Sequence, residues 1–75
     1  MEIKKHIEAN PKIMLGKPII KGTRITVEII LRKLSNGFSK KDILEMYPHI
    51  NTDDIQACIS YAADVIQSEK VIKAA

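Results

Sequence analysis

A 75-residue chain with one cysteine, Cys58, cannot cross-link itself, so its fold has to rest on buried apolar side chains. Metal is no substitute staple, because His6, His49 and Cys58 lack ligand spacing. A length like this supports one domain, here residues 1–75. Small unstapled domains bury little surface and commonly complete their interior with a partner subunit. A homodimer is therefore expected. A lone thiol suits a reducing compartment. No apolar run reaches the ~20 residues needed to span a bilayer. Met1 to Asn10 is polar and carries Glu2 and Glu8, unlike a signal peptide. The expectation is a soluble, cytoplasmic protein with no membrane segment.

Residues 1–25 read as an N-terminal arm and β-segment, and residues 26–75 as a three-helix bundle. Met1 to Ala9 is ambiguous between a loose arm and a short helical turn. Asn10-Pro11 marks a turn. Lys12 to Leu15 alternates polar and apolar, with Ile13 and Leu15 on one side, which is strand periodicity. After Gly16-Lys17-Pro18, the β-branched Ile19 and Ile20 resume an extended run. Lys21-Gly22-Thr23 forms a second turn, in which Gly22 can take a positive φ. Two short strands cannot bury a face alone, so they are expected to pair with the same segment of a second copy. Ile13, Leu15, Ile19 and Ile20 would lie in that dimer interface. Ile29, on the far side of the first helix from its apolar stripe, would join them.

Thr26 is a suitable cap for the first helix, with Val27, Ile30, Leu31 and Leu34 as its stripe and Asn36-Gly37 as its end. Ser39 and Asp42 form a capping-box pattern for the second helix. Phe38 is placed to staple onto Ile43, and Pro48 stops the helix. Thr52 or Asn51 caps the third, whose stripe is Ile55, Cys58, Ile59, Ala62, Val65 and Ile66. That helix should reach about Ser68, with Ile72 nearly keeping the pattern. Short helix, tight turn, longer helix is a helix-turn-helix layout. The fold class is thus mainly α: a three-helix, helix-turn-helix-like bundle behind a short β-segment that is expected to pair with a second copy.

Net charge is +3, but unevenly spread. Residues 1–25 carry Lys4, Lys5, Lys12, Lys17, Lys21 and Arg24 against Glu2 and Glu8, a balance of +4. Residues 51–75 carry Lys70 and Lys73 against Asp53, Asp54, Asp64 and Glu69, a balance of −2. A basic front suits nucleic acid or an acidic protein partner.

The run from Gly16 through Lys17-Pro18-Ile19-Ile20-Lys21-Gly22-Thr23-Arg24-Ile25 to Val27 is distinctive. Ile30-Leu31, Leu34, Gly37, Ser39, Ile43-Leu44, Tyr47-Pro48, Asp54-Ile55 and Tyr61-Ala62 follow it. This pattern resembles domain-of-unknown-function family 433. The resemblance implies a homeodomain-like helix-turn-helix protein with an N-terminal β-segment. It also implies dimers interlocked through the N-terminal strands, and a common role as the antitoxin beside a PIN-like nuclease toxin.

Gly16-Lys17-Pro18 lacks the second glycine and the Ser or Thr of a phosphate loop, and reads as a turn. Arg24, beside Thr23, could fork onto a phosphate or carboxylate; alternatively it makes a structural ion pair, for instance with Glu28. Lys40 and Lys41 open the second helix where a helix-turn-helix crosses the phosphate backbone, although a solvated face explains them too. The outward face of the third helix reads Asp53, Gln56, Ala57, Ser60, Asp64 and Gln67. Gln56 could read adenine, but the acids would repel phosphates. Lys17, Lys21, Thr23, Arg24, Lys40, Lys41 and Gln56 are therefore the candidate contacts to nucleic acid or a protein partner. No nucleophile–base pair, metal set or cofactor loop is visible, so no enzymatic activity, metal or cofactor is expected. The function expected is an antitoxin that neutralises a PIN-like ribonuclease and binds operator DNA. The alternative is a stand-alone nucleic-acid-binding regulator.

Overall fold

The computed structural model describes residues 1–68. A helical turn at Ile3–Lys5 leads into strand β1 (Ile7–Ala9), which pairs antiparallel with β2 (Pro18–Ile20). Ile7 lies opposite Ile20, and Ala9 opposite Pro18. Helices α1 (Val27–Ser35), α2 (Lys40–Met46) and α3 (Thr52–Ser68) follow. The fold is mainly α, a three-helix bundle with an N-terminal antiparallel β-hairpin, as expected. Ile72 and the rest of the C-terminal tail lie outside the described residues.

The strand expected at Lys12 to Leu15 is not there. The strand facing β2 is Ile7–Ala9, inside the stretch that was ambiguous as sequence. Asn10 decides the matter locally. Its side-chain oxygen accepts from the Lys12 N–H at 2.9 Å and its carbonyl from the Ile13 N–H at 2.9 Å, which turns the chain before an extended run can form. Met14 and Leu15 then adopt left-handed conformations, with φ of 50° and 58°. The inter-copy strand pairing expected for the dimer is thereby made within one chain. β2 is engaged on both sides, since Ile19 also bridges to Thr26 and the Ile20 N–H donates to the Ile25 carbonyl at 2.9 Å. Ile19 and Ile20, assigned from sequence to a dimer interface, are buried inside their own subunit.

Local signals set the helix ends. The Thr26 hydroxyl accepts from the Ile29 N–H at 3.1 Å and starts α1. At its end the Phe38 N–H returns to the Lys33 carbonyl and the Gly37 N–H to the Leu34 carbonyl, with Gly37 at φ 93°. Ser39 and Asp42 exchange hydrogen bonds at 3.1 and 2.9 Å, the capping box expected for α2. Those bonds from Ser39 hold the Asp42 carboxyl below its ordinary value. The cap is therefore complete above the ordinary carboxylate range, and weakens as pH falls through the lowered value. Asn51, the second of the two candidates, caps α3, exchanging bonds with Asp54 at 2.9 and 3.0 Å.

α3 is the element the others share: α1, α2, β1 and the N-terminal turn all pack on it. Ile30, Ile43, Ile55 and Cys58 have no exposed surface, and Ile7, Ile20 and Val27 join their cluster. Ala57, read from sequence as outward-facing, is fully buried in that cluster. Its methyl lets a neighbouring element approach where a longer side chain would hold it off. Burial, and after it the Asp54 charge, pushes the Cys58 thiol up to about 12, so it is a core side chain rather than a nucleophile.

Candidate binding surface

The turn after β2 presents the basic segment. The Thr23 hydroxyl donates to the Ile20 carbonyl at 2.7 Å and accepts from the Ile25 N–H at 3.0 Å. The Gly22 N–H donates to Glu8 Oε2 at 3.3 Å, and Gly22 takes a φ of 80° that a residue with a Cβ would adopt only under strain. Lys21 Nζ donates to the Lys4 carbonyl at 2.9 Å, so it ties the arm down while keeping its charge at the surface. Arg24 projects from this braced turn into solvent. It makes no ion pair among the described residues. Glu28, its candidate partner, instead receives Lys17 at 3.5 Å and Arg32 at 4.0 Å.

The helix-turn-helix residues are arranged differently. Lys40 Nζ donates to Gln56 Oε1 at 2.8 Å, so the two candidate contacts satisfy each other. Lys41 is exposed. Asp53 and Asp64 are exposed on α3, and no basic residue lies on α3 between Thr52 and Ser68. One contact was not foreseen from sequence: His6, notable there only for lacking metal-ligand spacing, donates through Nδ1 to Asp54 Oδ1 at 2.9 Å. It fastens the N-terminal arm to the start of α3. Nothing local announces a bond across 48 residues.

A second unforeseen feature is an open apolar groove of about 490 Å³ between α1 and α3. Val27 and Leu31 from α1, with Tyr61, Ala62, Val65 and Ile66 from α3, line it, and Lys17, Glu28 and Arg32 stand around it. Among the described residues, the stripe on α3 that looked continuous as sequence is covered only over its first half. Val65 and Ile66 remain 42% and 59% exposed. Phe38 is also partly exposed, with the Lys33 ammonium 5.5 Å from its ring centre.

Of the residues first placed in a dimer interface, Ile13 is half-buried, Ile29 is exposed, and Leu15 is 93% exposed. A left-handed conformation costs a non-glycine residue about 1–2 kcal/mol. Leu15→Gly is therefore expected to stabilise the chain by about 0.5–1 kcal/mol after glycine's own entropy cost, a few degrees in Tm. A thermal melt checks this, and a lower Tm would mean the Leu15 side chain packs on something that matters.

No helix among the described residues is long and apolar enough to cross a membrane, and no group of three or more His, Cys, Asp or Glu among them could hold a metal ion. Comparison with known proteins gives three matches. Residues 7–62 match the model of a family described as "Protein of unknown function (DUF433)". A curated relative, the uncharacterized protein y4eO of Sinorhizobium fredii, is 29% identical over 56 residues, which are 75% of this chain but 25% of that protein. A crystal structure of a DUF433 member from Anabaena variabilis superposes with a TM-score of 0.80 at 25% identity, covering 87% of this chain and 64% of that one. This chain thus spans about a quarter of the curated relative and under two thirds of the solved one.

Proposed function

The chain belongs to the DUF433 family, and from that premise we propose that it is a non-catalytic, homodimeric binding protein of the cytoplasm, the antitoxin that neutralises a PIN-like ribonuclease. The observation that carries this reading is the exposed Arg24 on a turn braced by Thr23, beside Lys21 and without an ion pair among the described residues. A guanidinium held this way is preorganised for a carboxylate or phosphate, and its planar fork binds either through two bonds. A PIN-like nuclease site is built from acidic residues, so a basic front is the complementary surface. Operator DNA would be met by the same basic segment. α3 exposes Asp53 and Asp64, and its Gln56 is already bonded to Lys40.

Arg24→Ala separates the readings. The side chain is exposed, so the Tm should stay within about a degree. Capture of the PIN-like partner should fall by at least about tenfold, because a charge-assisted pair contributes roughly 1.5–3 kcal/mol. Unchanged capture would reject the antitoxin surface. If no nuclease partner is captured but DNA is bound with a steep salt dependence that Arg24→Ala flattens, the protein is instead a stand-alone nucleic-acid-binding regulator.

A further inference from the structure

We propose that a second copy of this chain occupies the groove between α1 and α3, the two copies meeting through the overhanging halves of α3 about a two-fold axis. This deepens the homodimer reading above, rests on it, and places the interface away from the β-segment.

The argument begins with helix lengths. α3 has 17 residues against 9 in α1 and 7 in α2. At 1.5 Å per residue it runs on the order of 25 Å, about ten more than either partner can cover. Its stripe does not end where its cover ends: Ile55 and Cys58 are fully buried, whereas Val65 and Ile66 continue the same face into solvent. The groove beside them is apolar and open.

The residues around the groove indicate which occupant fits. An isologous contact needs a patch complementary to itself, because every residue meets the same surface on its twin. A rim of one sign would repel its copy. Here the rim carries both signs, with Glu28 between Lys17 at 3.5 Å and Arg32 at 4.0 Å. All three side chains are more than half exposed, so these pairs are loosely held and can exchange across a two-fold axis. The cations that suit an acidic partner, Lys21 and Arg24, lie elsewhere, on the turn after β2. Ala62 leaves room for a second helix to approach. β2 cannot pair with a second copy in its place, since it is engaged on both sides within the subunit.

The test uses the full chain. Sedimentation velocity is measured on the unmodified protein and on Ile66→Asp, with circular dichroism to confirm that the variant keeps its helices. We expect a dimer at micromolar concentration whose dissociation constant rises about a hundredfold in Ile66→Asp, as for loss of an anchor at an interface centre. Ile66→Cys should also form a disulfide-linked dimer under mild oxidation, which does not depend on how well Ile66→Asp folds. Glu28→Lys should weaken the dimer, and Lys17→Glu added to it should restore part of the loss. If Ile66→Asp remains as dimeric as the unmodified chain and Ile66→Cys does not cross-link, the groove is not the interface, while the homodimer reading survives. A monomer for the unmodified chain at all concentrations overturns both.

Discussion

Ile55→Ala is expected to remove about half of the native state's stability at room temperature. Ile55 has no exposed surface and lies on α3, the helix against which α1, α2, β1 and the N-terminal turn all pack. Removing three carbons there forfeits their transfer energy and leaves a cavity bounded by several elements at once. Neighbours can close it only by moving together, so the cost belongs in the upper part of the usual range, about 3–5 kcal/mol. A domain of 75 residues has a total stability of roughly 4–11 kcal/mol. Urea denaturation should show the midpoint falling by half or more. Ile55→Val, which keeps most of the volume, should cost only about 1 kcal/mol. Equal effects for the two would mean the site relaxes freely, contrary to the packing described.

The second large effect is expected for Asp54→Ala. This carboxylate does two things. Its Oδ2 accepts from the Asn51 N–H at 3.0 Å, closing the cap of α3, and its Oδ1 accepts from His6 Nδ1 at 2.9 Å. The side chains are only 15% and 24% exposed, so water replaces neither bond fully. Loss of a cap costs about 1 kcal/mol, and loss of a bond to a charged acceptor about 1.5–3 kcal/mol. Asp54→Ala should therefore destabilise by about 2–4 kcal/mol. His6→Ala spares the cap and should cost about half as much. Because the two side chains touch, their effects should not add, and a double-mutant cycle should return a coupling of about 1–2 kcal/mol. Strict additivity would mean the bond contributes nothing. The consequence reaches the candidate surface, since the arm that His6 fastens carries β1, and β1 supports the strand from which the Lys21–Arg24 turn projects.

The candidate surface was legible in part. Gly22, Thr23 and Arg24 stood out because a glycine in a turn and a basic residue after it are local chemistry, and the structure keeps them together at the surface. Lys40 and Gln56 looked like independent contacts because 16 residues separate them, yet α2 and α3 bring them to 2.8 Å. The groove was not legible. A stripe at helical spacing says that one face is apolar, and is silent on whether this subunit has enough structure to cover it.

At the helix ends, where partners lie within five residues, the chain's own order was enough. Thr26 with Ile29, Ser39 with Asp42, and Lys33 with Phe38 around Gly37 make bonds whose geometry follows from spacing alone. α1 and α2 therefore begin and end, and α3 begins, where the residues say they do. Tertiary structure decided the rest: that Ile7–Ala9 is taken up as the partner of β2, that His6 meets Asp54, that Ala57 turns inward, and that α3 outruns its neighbours. Each of these compares distant segments competing for the same partner or the same space. That competition is settled by the summed packing of the whole chain, which no local window contains.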